Sequence, residues 1–137
     1  MRYYNLMTHL RDALSRRILV LDGAMGTMIQ AADLGAADFG GAQYEGCNEH
    51  LNLTRPQVIR DIHTAYFDAG ADVVSTNTFG CAPYVLAEYG LAERAYDITR
   101  AAGRIAREAA GDRFVIGAMG PSTRSISVTR NVSFDEE

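Results

Sequence analysis

Three short, continuous apolar runs constrain this chain more than any other feature: residues 18–21 (ILVL), 73–76 (VVST) and 114–118 (FVIGA). Runs of this length, rich in β-branched residues, read as strands covered on both faces, the pattern of a parallel sheet. The text between them has helical spacing. Thr54 stands three residues before Gln57 with Pro56 between them, which predicts a capped helix start. Val58, Ile59, Ile62, Ala65, Tyr66 and Ala69 continue as one apolar stripe, and Gly70 is placed to end the helix in a left-handed conformation. A short helix over residues 82–89 should stop at Gly90, and a longer one from about residue 93 should carry Ala95, Ile98, Ala102, Ile105 and Ala109 inward until Gly111. Leu6, Leu10 and Leu14 recur every fourth residue and predict a leading amphipathic helix over residues 3–16. Strands alternating with helices give parallel βαβ units with right-handed crossovers, an α/β fold. Three strands are few for an independent α/β domain, so the 137 residues read as a single partial domain of something larger.

Composition narrows the function classes. At 47% apolar content the chain is not disordered, yet no stretch nears the roughly 20 uninterrupted apolar residues of a membrane span. Charge is mixed into its N-terminal apolar positions, so no signal peptide is read there and a cytoplasmic protein is expected. A net charge of −4 argues against a nucleic-acid partner. All 13 basic residues are arginine, which excludes Schiff-base lysine chemistry and a P-loop from this chain. Cys47 and Cys81 lie 34 residues apart without metal-type spacing and are expected to be reduced thiols.

Sites in α/β folds gather at the carboxyl ends of strands. The first such end reads Asp22-Gly23-Ala24 within LDGAMGT. A carboxylate there can hold a cationic group such as a ligand ammonium, while the glycine lets backbone N–H groups approach a ligand carboxylate. The alternative is that Asp22 only caps the following helix. At the second end Thr76 and Thr78 share one face and Asn77 takes the other; the hydroxyls either touch a ligand or bond loop backbone. His63 lies mid-helix, where a packing, surface or catalytic role is open. Cys47, Glu49 and His50 are all zinc-donor types, although their spacing matches no usual ligand pair. They sit in the Gly-rich, aperiodic stretch 31–50, too long for a mere connector. Cys81 reads as a small apolar filler.

The segments LDGAMGTMIQ, CNEHLNLTRPQVIRDIHTAYFDAGADVVSTNTFG and GAMGPSTRSIS together resemble the N-terminal homocysteine-binding domain of cobalamin-dependent methionine synthases. Betaine:homocysteine methyltransferase and other homocysteine S-methyltransferases are similar more loosely. The likeness runs from about residue 8 to the end, in three separate blocks. It implies the N-terminal portion, about three strands, of a TIM-type β/α barrel. It implies Asp22 on the substrate ammonium, the backbone of Gly23 and Ala24 on its carboxylate, and Thr76 in the pocket wall. It further implies methyl transfer to homocysteine from methylcobalamin and methyltetrahydrofolate carried by other modules, with zinc activating the thiol. The family's zinc ligands are cysteines on later strands that this chain does not match, so neither zinc nor cobalamin is expected to be fully ligated here, and the fragment is expected to be inactive alone. Two other readings stand beside this one: a non-catalytic half-barrel that pairs its open strand edges with itself or a complementary chain, and a mouth that binds another amino acid or a phosphate.

Overall fold

The computed structural model describes the backbone of residues 2–121 and the side chains of residues 9–121. Residues 122–137, including most of GPSTRSIS and Phe134, lie outside the described residues, as does the side chain of Leu6.

The leading helix forms as α1 (Arg2–Arg16), followed by α2 (Met25–Ala31), α3 (Leu51–Thr54), α4 (Pro56–Asp68), β1 (Val73–Ser75), α5 (Pro83–Leu86), α6 (Ala95–Ala110) and β2 (Phe114–Ile116). β1 and β2 pair in parallel with Val73 opposite Phe114, Val74 opposite Val115 and Ser75 opposite Ile116. The chain between them returns through α5 and α6, as a parallel pair requires.

The first expected strand is corrected. Residues 18–21 make one parallel bridge, Leu21 to Val73, instead of a strand. The segment is nevertheless held along β1, because Asp22 N–H donates to the Val73 carbonyl at 2.9 Å and Val73 N–H to the Val20 carbonyl at 3.2 Å. A bidentate pair between Arg17 and Asp72, both bonds 2.7 Å, anchors its start, and Asp72 also accepts the Val20 N–H at 2.9 Å. Those bonds, the Arg17 guanidinium first, hold the Asp72 carboxyl down at about 2. Nor is the run buried on both faces: Ile18 is 89% exposed, and Val20 and Leu21 are more than half exposed. Double burial needs a layer on each side, and the described helices pack on β1 and β2. Ile116 and Met119, on the opposite side of β1, are exposed as well, so both edges of the sheet carry open apolar residues.

Helices α4 and α6 pack against each other and against β1. Ile59 and Ile62 of α4, Ile105 of α6, Leu51, Ile29 and Phe39 form one core cluster; Phe67, Val74, Ala106 and Ala110 form another beneath the sheet. The stripe read on α4 is displaced: Ala65 and Ala69 are exposed, while His63 and Phe67 are buried. The capping box does not form. Thr54 ends α3 and its hydroxyl reaches back to the His50 carbonyl, whereas the residue capping α4 is Arg55, without a side-chain cap. Proline at the next position pushes Arg55 out of the helical region, to φ −137° and ψ 56°, and breaks what would have been one helix into two. The expected glycine terminators hold, with φ of +103° at Gly70, +69° at Gly90 and +56° at Gly111.

The Gly-rich stretch is folded. It contains two 3₁₀ turns, Ala42–Tyr44 and Asn48–His50, the second running directly into α3. Phe39, Cys47 and His50 anchor it in the interior. No described helix is long and apolar enough to cross a membrane.

Candidate functional site

The carboxyl ends of β1 and β2 and the segment after Leu21 converge on one cleft of about 350 Å³. Gly23, Ala24, Met25 and Gly26 form one wall; Ser75, Thr76, Asn77, Phe79 and Ala118 form the other, with Asn48 and Glu49 between them. Of the residues singled out from the sequence, Gly23, Ala24 and Thr76 thus line a common space. Asp22 stands just behind it, half-buried.

Asp22 does not cap the next helix. The N-cap of α2 is Ala24, with no side-chain hydrogen bond. Its carboxylate instead accepts two bonds from Ser75, the backbone N–H at 2.9 Å and the hydroxyl at 3.0 Å, one on each oxygen. A carboxylate offers about four lone-pair sites, so each oxygen keeps acceptor capacity for a cation. Ser75 was not singled out from the sequence. The one available signal is a small hydroxyl where an apolar strand ends.

Of the two glycines, Gly23 is the one with a close neighbour. A Cβ there would lie 3.0 Å from the Tyr66 hydroxyl and 3.2 Å from its Cε1. Gly26 has only Asn48 Nδ2 nearby, at 4.0 Å, and leaves the cleft wall open. Tyr66 also donates to the Ala24 carbonyl at 3.1 Å, alongside the Thr27 hydroxyl. Among the described residues the N–H groups of Gly23 and Ala24 meet no acceptor.

The threonines have the structural one of their two roles. Ala118 N–H donates to Thr76 Oγ1 at 3.1 Å and Thr78 Oγ1 donates to the Ala118 carbonyl at 2.7 Å, which leaves the Thr76 proton for Thr78 Oγ1 at 2.6 Å. This closed ring of donors ties the end of β1 to the end of β2 and presents Thr76 to the cleft in a fixed orientation. Asn77 turns the other way, as alternation predicts. Its amide donates to the Asn48 carbonyl at 2.8 Å and Asn52 Oδ1 at 3.2 Å, and Asn52 returns a bond to the Asn77 carbonyl at 2.8 Å. Glu49 accepts the Gly80 N–H at 2.7 Å. Residues 48–52 are therefore clamped to the strand end, a pairing across 25 residues and more that spacing in the sequence does not reveal.

Cys47, Glu49 and His50 do not converge. His50 Nδ1 donates to the Phe39 carbonyl at 2.8 Å, Glu49 is on Gly80, and Cys47 joins Cys81, Leu86, Leu91 and Ile98 in an apolar cluster. Burial pushes both thiols up, Cys81 to about 11, so they are held as neutral S–H groups. No three metal-donor side chains among the described residues are placed to share an ion. The donor set does not fit zinc.

His63 is fully buried, and among the described residues neither ring nitrogen has a hydrogen-bond partner. Burial lowers its pKa from the usual 6.5, opposed in part by the negative charge of Asp22. The folded chain therefore holds His63 neutral while the unfolded chain takes up a proton near 6.5, so stability is complete above that pH and declines below it. Urea unfolding followed between pH 7 and 5 is expected to show a loss of up to about 1.4 kcal/mol per pH unit that His63→Leu flattens. Equal slopes in the two proteins would contradict this.

The sequence profile described as homocysteine S-methyltransferase matches residues 19–137. Methionine synthase of Mycobacterium tuberculosis (strain ATCC 25618 / H37Rv) is 51% identical over 124 residues, and that of Mycobacterium leprae (strain TN) 47%; each alignment covers 85% of this chain and 10% of the relative. The chain thus spans about a tenth of the length of these curated relatives. Crystal structures of the homocysteine methyltransferase MmuM from Escherichia coli are also similar. The oxidized form has a TM-score of 0.67 at 30% identity and the metallated form 0.66 at 28%, covering 82% of this chain and 40% and 41% of theirs.

Proposed function

The chain belongs to the homocysteine S-methyltransferase family, and on that premise we propose that it forms the homocysteine-binding portion of a methionine synthase, the first strands of a β/α barrel. Asp22 holds the substrate ammonium through the oxygen lone pairs that Ser75 leaves free. The N–H groups of Gly23 and Ala24 receive the substrate carboxylate, and Thr76 forms the opposite wall. The observation that carries this reading is the pairing, at and just behind one cleft, of a carboxylate with spare acceptor sites and two backbone N–H groups that meet no acceptor among the described residues. An amino acid presents the complementary pair, ammonium and carboxylate, on one carbon.

The reaction is methyl transfer to the homocysteine sulfur, giving methionine. The donor would be methylcobalamin recharged from methyltetrahydrofolate on other modules, and a zinc ion held by residues outside this set would supply activation of the thiol. What these residues do is bind and orient. Held at its amino-acid end, homocysteine has a side chain with two methylene groups free to carry the sulfur out of the cleft toward a donor. The isolated chain is therefore expected to bind homocysteine without methylating it.

The exposed apolar residues at both sheet edges, Ile18, Val20 and Leu21 on one and Ile116 and Met119 on the other, favour a second reading. Here the partial barrel buries those edges by pairing them with a second copy or a complementary chain. Calorimetry with homocysteine, methionine and inorganic phosphate tests the first reading: heat with the amino acids supports it, and heat with phosphate alone rejects it. Light scattering on the same solutions tests the second, which a strictly monomeric, non-aggregating chain would contradict.

A further inference from the structure

We propose that Tyr66 of α4 is the positioning residue that confers selectivity for the substrate carboxylate, an inference that rests on the homocysteine-binding reading above. Tyr66 is absent from the cleft lining. It acts on the wall from behind, through two contacts on consecutive residues. Its ring packs against Gly23, where a Cβ would lie 3.0 Å from the hydroxyl, 3.2 Å from Cε1 and 3.4 Å from Cζ, tighter than ordinary contact. Its hydroxyl donates to the Ala24 carbonyl at 3.1 Å.

The N–H of the planar, trans peptide joining Gly23 to Ala24 turns by rotation at Gly23 ψ and Ala24 φ, and contacts on both flanking residues restrict those rotations. That N–H belongs to Ala24 and has no acceptor among the described residues. Glycine at position 23 is otherwise the residue with the widest backbone freedom, and an unrestrained Gly23-Ala24 link would sample many N–H directions. Tyr66, with the Thr27 hydroxyl on the same Ala24 carbonyl, restricts this freedom from outside the cleft. Nothing in the sequence pattern marks the role, because Tyr66 reads simply as one residue of the α4 stripe. The ammonium end of the ligand is held by Asp22, which is fixed by Ser75 and not by Tyr66. The two ends of the substrate are thus positioned by separate supports.

This separation gives the test. Titration calorimetry compares the 137-residue chain with its Tyr66→Phe variant, using homocysteine and its decarboxylated analogue, an aminopropanethiol. The unaltered chain should prefer homocysteine. Tyr66→Phe keeps the ring under Gly23 and removes only the hydroxyl, so it should lower homocysteine affinity about five- to tenfold, the worth of one positioning hydrogen bond, and leave the analogue nearly unaffected. A merely structural role would weaken both ligands together. Urea unfolding of the variant checks that it stays folded, and Gly23→Ala, which displaces the same ring, should show the same carboxylate-dependent loss. If the unaltered chain does not distinguish the ligands, the homocysteine reading itself fails. If it does and Tyr66→Phe preserves that preference, the role assigned to Tyr66 fails alone.

Discussion

Asp22→Asn is expected to lower homocysteine affinity by about two orders of magnitude. The substitution keeps the shape of the side chain but removes its charge and one of its two acceptor oxygens. Ser75 already places a donor on each oxygen, the N–H at 2.9 Å and the hydroxyl at 3.0 Å. An amide can satisfy one of them and turns an NH₂ toward the other. The ligand ammonium loses its counter-charge at the same time. Removing one member of a hydrogen-bonded charge pair typically costs about 2–5 kcal/mol, and about 3 kcal/mol corresponds to roughly a hundredfold. Calorimetric titration at neutral pH reads this directly. A deaminated analogue, a sulfanylbutanoate, supplies the control: it lacks the ammonium, so its binding should differ far less between the two proteins. Unchanged homocysteine affinity in the variant would remove Asp22 from the site.

The second large effect is on stability. Asn77→Asp exchanges an NH₂ for a carboxylate oxygen at a buried position bordering the cleft, where the amide now donates to the Asn48 carbonyl and to Asn52 Oδ1. The introduced oxygen would face two acceptors and no donor. A buried charge left without a partner costs about 3–5 kcal/mol, a large share of the 5–15 kcal/mol that holds a domain together. Urea unfolding should therefore show the midpoint falling sharply at neutral pH and recovering in part on acidification, as the introduced carboxyl takes a proton. Local consequences follow from the same bonds. Asn77 and Asn52 clamp residues 48–52 to the end of β1, and Asn48 and Glu49 of that segment line the cleft. A wild-type midpoint would show that the clamp contributes little.

Much of the fold was legible because it depends on local patterns. Apolar β-branched runs placed β1 and β2, and glycines 70, 90 and 111 ended their helices or turns with positive φ as expected. The misreadings share one cause. A continuous apolar run predicts burial, yet Ile18 is 89% exposed because burial requires a second layer, which residues 18–21 do not themselves encode. Thr54-Arg55-Pro56-Gln57 has the spacing of a capping box, but Thr54 was already committed to the preceding turn through the His50 carbonyl. Cys47, Glu49 and His50, zinc-donor types whose spacing matched no usual ligand pair, are sent to three different partners by the 3₁₀ turn through Asn48–His50.

What the sequence by itself determined is where the proposed site lies along the chain. The ends of apolar runs are local features: Asp22, Gly23 and Ala24 follow the run 18–21, and Thr76 follows β1. What only the tertiary structure decided is how those groups are held. Ser75 on Asp22, the threonine ring closing on Ala118, the asparagine clamp from residues 48–52 and Tyr66 beneath Gly23 are contacts between residues 25 to 53 positions apart in most cases. Spacing along a chain reports periodicity within an element. It carries no information about which side chains of different elements meet, because that is set by how helices and strands pack.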